Sequence, residues 1–270
     1  MRIDFHTHCF PDHLAPRAMA ILAKNCAGDA SLHPHTDGTA RDTRALLSRV
    51  GIDRAVICNI ATNKTQETNV NSFAISMAHD DFFLPLGSLH PDSEQQESEL
   101  DRLAAAGICG VKLHPDYVRV PLSDKRFDRI FSLLEERGFF AIVHAGLDPI
   151  SPDYIHATPE MFKEVSKKHP HLSLIAAHMG GFRRGDEVLK HLVGTNVYLD
   201  TSLSAKRPEE KELLFKILRE HDENKLLFAT DTPWSNPQKE IAFVEEACLD
   251  DAKKDLIFYK NAMRLLKLKQ

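Results

Sequence analysis

Long apolar runs, tryptophan and an excess of basic charge are what this 270-residue chain has least of. No apolar stretch approaches the ~18 residues that a membrane-crossing helix requires, which excludes a membrane protein of that kind. The 34 basic and 39 acidic residues leave a net charge of -5, so there is no basic field for a phosphate backbone or an anionic lipid surface. Neither nucleic acid nor membrane is an expected partner; a small-molecule substrate is, and homo-oligomerisation is left open. Glycine (12) and proline (14) are too sparse for a collagen-like or low-complexity chain, and 43% hydrophobic residues suffice for a large core.

The five cysteines, Cys9, Cys26, Cys58, Cys109 and Cys248, are odd in number, widely spaced and form no C-x-x-C. That pattern excludes a disulfide scaffold and fits reduced thiols in a cytoplasmic protein. The opening MRIDFHTH enters a strand-like segment directly and reads as carrying no processed leader. Cys9 stands beside His8, but a sequence neighbour is rarely the base that activates a thiol in space.

What is abundant is histidine, 15 residues, and its placement follows the periodicity of the chain. Short apolar runs with β-branched or aromatic content recur, starting near Ile3, Arg54, Phe83, Ile108, Phe139, Leu172, Asn196 and Lys225. Most are followed by a helical stripe, of which Phe127, Ile130, Phe131 and Leu134 before Gly138 is the clearest. Ser93 with Gln96 reads as a capping box, and Thr158-Pro159 and Asn236-Pro237 as caps before a first-turn proline. Eight βα units without a compositional break imply one parallel (βα)8 TIM barrel, a single domain over 1–270. The first strand-to-strand interval, 51 residues, is about twenty longer than the rest, which places a long loop around 9–42. It is either a lid over the mouth or a surface excursion.

His6 and His8 end the first strand, His90 the third, His114 the fourth, His144 the fifth, His178 the sixth, and Asp231 the eighth. In a barrel these ends share the face that carries active sites. His6 and His8 alternate with Thr7, so both imidazoles turn to one side and can bind one ion; Asp4 shares that alternation. Taken singly, each such histidine is more often a hydrogen-bonded structural residue. Together with His144, His178 and Asp231 they supply several N/O ligands to one cavity, a set suited to Zn²⁺ or another borderline divalent metal with a position left for water. Asp231 reads as the only acid that ends a strand.

The strings IDFHTHCFPD, GSLHPD, GVKLHP, VHAG, AAHMGG and ATDTPW, in this order, resemble the amidohydrolase superfamily. The resemblance spans nearly the whole chain and is nearest the amidohydrolase-2 group of metal-dependent hydrolases and the related aminocarboxymuconate semialdehyde decarboxylase-like enzymes. It implies a metal-bearing (βα)8 barrel in which His6, His8, His144 and Asp231 hold one catalytic metal. His178 would stand beside it as an acid/base or electrostatic residue, or as a further ligand. The expected ion is one Zn²⁺, with Mn²⁺ as the alternative. In two-metal relatives a carboxylated lysine at the position of Lys112 bridges the ions. In the one-metal group, to which GVKLHP also belongs, that lysine contacts substrate or braces the site, and one metal is expected. His114 is either a substrate contact or structural; His90, which like it precedes a proline that ends its strand, reads as structural or as a partner behind the ligands.

The expected reaction is attack of metal-activated hydroxide on an ester, lactone or amide carbon, with Asp231 as base and His178 polarising the carbonyl. Arg119, Arg183, Arg184, Lys206 and Arg207 in the strand-to-helix loops suggest a carboxylate-bearing substrate. Trp234 is a candidate stacking wall. The alternative on the same barrel is nonoxidative decarboxylation or hydration of an unsaturated or aromatic acid. A phosphoesterase with three metals would need more strand-end acids, and a purely structural metal site would have no use for both His178 and Asp231.

Overall fold

The computed structural model describes residues 1–26, 32–247 and 249–268; Cys248 and residues 27–31 of the long first loop lie outside it. Among the described residues there are eight strands: β1 (Ile3–Thr7), β2 (Arg54–Ile57), β3 (Phe83–Pro85), β4 (Gly110–Leu113), β5 (Phe140–Val143), β6 (Leu174–Ala176), β7 (Tyr198–Asp200) and β8 (Leu226–Leu227). Each begins at or up to two residues after the position that the sequence pattern indicates. All pairing is parallel, in the runs β1-β2-β3 and β4-β5-β6-β7-β8. Backbone hydrogen bonds join the runs at both seams. Gly87 N donates to Gly110 O (3.1 Å) and Lys112 N to Gly87 O (2.9 Å), while Phe5 N donates to Phe228 O and Asp231 N to His6 O (2.9 and 2.8 Å). The result is a (βα)8 barrel, in which no described helix is long and apolar enough to cross a membrane.

Alternation divides the core into two layers. Outward residues such as Ala141, Val143, Leu174, Leu199 and Phe228 meet the helices, including the stripe Phe127, Ile130, Phe131 and Leu134 on the helix Lys125–Arg137. Gly138 ends that helix in the left-handed region, as its position predicts. Inward residues Ile3, Phe5, Leu86, Phe140, Ile142 and Leu227 fill the barrel floor, and Ala262 and Leu265 of the C-terminal helix close it from beneath. Each fully buried side chain of this size contributes roughly 1.5–3 kcal/mol. Thr158 and Asn236 cap their helices as expected. Ser93 does not form the expected box: its hydroxyl donates to buried Glu67 (2.6 Å), while the Gln96 amide turns to His90 O (2.9 Å). The buried carboxylate is the stronger acceptor.

β1 departs from simple alternation. Asp4 pairs with Ala55 and Thr7 with Ile57, so three steps of β1 oppose two of β2. This bulge lets Ile3 and Phe5 face the floor and His6 and His8 the mouth on the same strand. Asp4 therefore does not share the direction of the two histidines, as strict alternation had implied. Its buried carboxylate accepts the amides of His6 (3.2 Å) and Thr230 (3.0 Å) and the Thr230 hydroxyl (2.6 Å), closing the polar gap at the β1/β8 seam. Burial pushes its pKa up to about 8.

Candidate metal centre

At the carboxyl ends of the strands lies a cavity of about 850 Å³. Five of the histidines singled out above, His6, His8, His114, His144 and His178, line it, together with Lys112, Asp231 and Trp234. His90 does not; its Nδ1 accepts the Asp92 amide (3.1 Å) within its own loop. The first loop folds back on itself, with Phe10 N donating to Gly38 O (2.8 Å), and its helix Ala15–Asn25 presents Arg17, Ala18, Ile21, Leu22 and Asn25 to the cavity. Cys9 is buried and its thiol is pushed up to about 12, mainly by burial, so it is no thiolate nucleophile at neutral pH.

The ring nitrogens at the centre have assigned tasks. His6 Nδ1 donates to Asp200 Oδ2 (3.0 Å), and His8 Nδ1 donates to the carbonyl of Cys58 (2.9 Å). Each imidazole is thereby held as the tautomer whose Nε2 carries a lone pair. Those lone pairs meet Asp231 Oδ1 at 3.5 Å (His6) and 3.0 Å (His8). Asp231 itself sits at φ 65°, with its amide bonded to the carbonyl of His6, a costly conformation for a non-glycine residue and one that clusters at functional sites. Burial would push the Asp231 carboxyl up, but His6, His8 and Lys112 together hold it below the ordinary value. Burial, with Lys112 adding to it, pushes His6 down to about 4, so its lone pair is present at neutral pH. Two fixed imidazole nitrogens and an ionised carboxylate around one point fit a divalent cation. Lys112 Nζ, buried and 2.9 Å from His6 Nε2, already places positive charge against that donor set.

His178 stands at φ 58°, its amide on Asp200 Oδ1 (2.9 Å) and its Nδ1 on Ser202 Oγ (2.7 Å). Its Nε2 faces His144 Nδ1 at 3.1 Å. Burial first, then the neighbouring His144, keeps His178 well below its ordinary pKa and hence neutral. Gly146, two residues after His144 at the end of β5, sits at φ 89°; a Cβ there would lie 2.2 Å from Phe182 N, so the β5 and β6 turns can approach only across a glycine. His144 stands beside His178 and outside the His6–His8–Asp231 cluster; with His114 and Asp148 it makes a cluster of its own.

Two residues decide this geometry without having been found by pattern. Asp200 is a second strand-end acid, so Asp231 is not the only one; it is fully buried and touches both His6 and His178. The string NVYLDTS carries it where a strand should end, which was the available signal. Arg207 is no mouth cation: it is fully buried, with Nη2 donating to His178 O (3.1 Å) and Nη1 to Gly181 O (3.3 Å). Arg183 is exposed with its guanidinium 5.1 Å from the centre of the Phe182 ring, and Arg119, Arg183, Arg184 and Lys206 do not line the cavity. Among the described residues its cations are Lys112 at the bottom and Arg17 at the rim. Trp234 packs with Met19, Phe182 and Leu203 in the wall.

The fold is shared with solved structures of low sequence identity. A TIM-barrel protein from Bordetella bronchiseptica, itself uncharacterised, is 17% identical, covers 98% of each chain and superposes with a TM-score of 0.77. A putative 2-pyrone-4,6-dicarboxylic acid hydrolase from Pseudomonas putida is 17% identical over 100% of this chain and 98% of its own, with a TM-score of 0.69. The 5-carboxyvanillate decarboxylase from Novosphingobium aromaticivorans, a D314N mutant solved with bound manganese, is 17% identical over 99% and 97%, at 0.67. No curated protein matches the chain. The amidohydrolase family model matches residues 3–268, and with almost every residue inside that match the chain belongs to the amidohydrolase family.

Proposed function

We propose that this protein is a divalent-metal-dependent hydrolase of a small, carboxylate-bearing substrate, with His6, His8 and Asp231 as metal ligands. The observation that carries this reading is the pair of Nε2 lone pairs, fixed from behind by Asp200 and the Cys58 carbonyl and gathered on Asp231 within 3.5 Å. A divalent cation held by these residues, Zn²⁺ or Mn²⁺, would supply Lewis acidity at the mouth. Asp231, ionised and at the mouth, takes a proton from the attacking water and hands it to the leaving group. His178, neutral, with Nδ1 anchored on Ser202 and Nε2 on His144 Nδ1, acts as a positioning residue between β5 and β7. Lys112 neutralises a substrate carboxylate or the developing oxyanion from below, and Arg17 at the rim takes the second end of a longer substrate. The helix Ala15–Asn25 acts as a lid that excludes water from the cavity.

One observation favours a second reading, nonoxidative decarboxylation or hydration. The walls are apolar and aromatic, with Phe10, Phe73, Tyr117, Phe182 and Trp234, which suits a planar unsaturated acid. A panel of lactones, esters and carboxylated aromatics offered to the metal-loaded protein separates the two. Turnover of a lactone or ester with uptake of water is the expected result; release of CO₂ without it overturns the hydrolase.

A further inference from the structure

The cavity has two kinds of wall. Its imidazoles, Lys112, Asp148 and Asp231 stand at or just past the strand ends; among the other described residues that line it, Arg17 is the one charge. The helix Ala15–Asn25 forms much of that second wall. Ala15 and Met19 anchor it: both are buried, and Met19 packs with Phe182, Leu203 and Trp234. Leu14, Ala18 and Ile21 lie about a third of a turn away, at the i, i+4, i+7 spacing of a single helical face, and all three line the cavity. Leu14 is 46% and Ile21 50% exposed, and they are two of the four large hydrophobic side chains that stand exposed among the described residues. Exposed apolar residues scattered singly need no explanation, but these two share one face and one cavity. The apolar surface continues on Val70 and Phe73, one turn apart on the helix Glu67–Ser76, which are half-buried and line the same space.

The volume of about 850 Å³ lies near the top of the ~300–1,000 Å³ range of pockets that enclose whole drug-sized ligands. A compact polyacid would leave the second wall facing water and would meet a single cation on it. We infer that the substrate is amphipathic: its reacting ester or lactone group lies at the strand ends, and an apolar arm, alkyl or aryl, lies along Leu14, Ala18 and Ile21. This deepens the hydrolase reading and rests on it for the placement of the reacting end. From Leu14 to Ile21 the helix rises about 10 Å, which an extended chain of roughly eight carbons spans. Each methylene that such an arm buries is expected to tighten binding about two- to fourfold.

Trp234, the only tryptophan of the chain, lines the cavity, so its fluorescence reports occupancy without turnover. The Zn²⁺-loaded full chain is titrated with straight-chain carboxylates from acetate to octanoate and assayed with the p-nitrophenyl esters of the same acids. In wild type, Kd is expected to fall about two- to fourfold per methylene, and kcat/KM for the octanoyl ester to exceed that for the acetyl ester by ~10²- to 10³-fold. Ile21→Asp should cut that ratio at least tenfold, and Ala18→Phe, which fills the face, should abolish the gain beyond butanoate. A flat series in wild type overturns the arm, and hydrolysis of the short esters in the same assay would leave the hydrolase reading standing without it. A slope kept in full by both variants overturns its placement along the helix. Affinity that rises with chain length in wild type and not in the variants, with no ester hydrolysed, supports the arm and sinks the hydrolase reading instead. A circular dichroism melt verifies folding, and should one variant fail to fold, the other carries the test.

Discussion

The floor and the mouth of this barrel are made by the same strands and tolerate change in opposite ways. At the floor, Ile3, Phe5, Phe140 and Ile142 are held by volume alone, and ring contacts such as Phe5 on Phe140 (5.6 Å between centres) have no directional partner to lose. At the mouth, His6, His8, His178, Asp200 and Asp231 are each set atom by atom, and two of them occupy positive φ. Packing at the floor supplies the stability that lets strained, buried polar residues persist above it. Function and stability are therefore separable along the barrel axis.

The strongest way to break that separation is at Asp231. Asp231→Asn is expected to lower kcat/KM by ~10²- to 10⁴-fold and to weaken metal retention, read by steady-state kinetics and metal content. A variant with full metal and full activity would remove Asp231 as ligand and base. Next comes the floor. Phe140→Ala should cost ~3–5 kcal/mol in urea unfolding while metal content per folded chain stays at the wild-type value. If it stripped the metal as thoroughly as Asp231→Asn, floor and mouth would be one unit. Ser202→Ala is a smaller cut within the mouth. It leaves the His6–His8–Asp231 donors in place, frees His178 Nδ1, and should reduce activity about 10- to 100-fold with metal retained.

The smallest effect lies behind the mouth, at fully buried Glu240, which accepts from the Ser235 hydroxyl and from Ala205 N (3.0 Å). Burial pushes its pKa from 4.5 up to about 7. Between those values the folded chain binds a proton that the unfolded chain has released, so this residue makes stability fall as pH rises through that window. Glu240→Gln should flatten that part of the melting-temperature profile between pH 4.5 and 7; an unchanged slope would place the proton elsewhere.

Much of the architecture could be read directly. Alternation and helical stripes repeat on a length scale of a few residues, and the strand starts at Ile3, Arg54 and Phe83 coincide with the observed ones. The histidines at strand ends were legible for the same reason, because the end of a strand in a barrel has a known direction. Asp200 ends a strand in NVYLDTS and could have been found the same way; its task could not, since its partners His6 and His178 lie on β1 and β6. Arg207 looked like a loop cation because a sequence does not display the carbonyls of His178 and Gly181 that draw it inward. The β1 bulge was invisible too, as register is a property of two strands and only one can be seen at a time.

The amino-acid sequence by itself determined the eight βα units, their parallel closure and the face on which the titratable residues gather, because each follows from periodicities within one segment. Only the tertiary structure decided which nitrogens of His6 and His8 are held from behind, and which acid or carbonyl holds them. Those choices depend on contacts a few ångströms long between residues up to 223 positions apart, such as His8 and Asp231, and no local pattern encodes them.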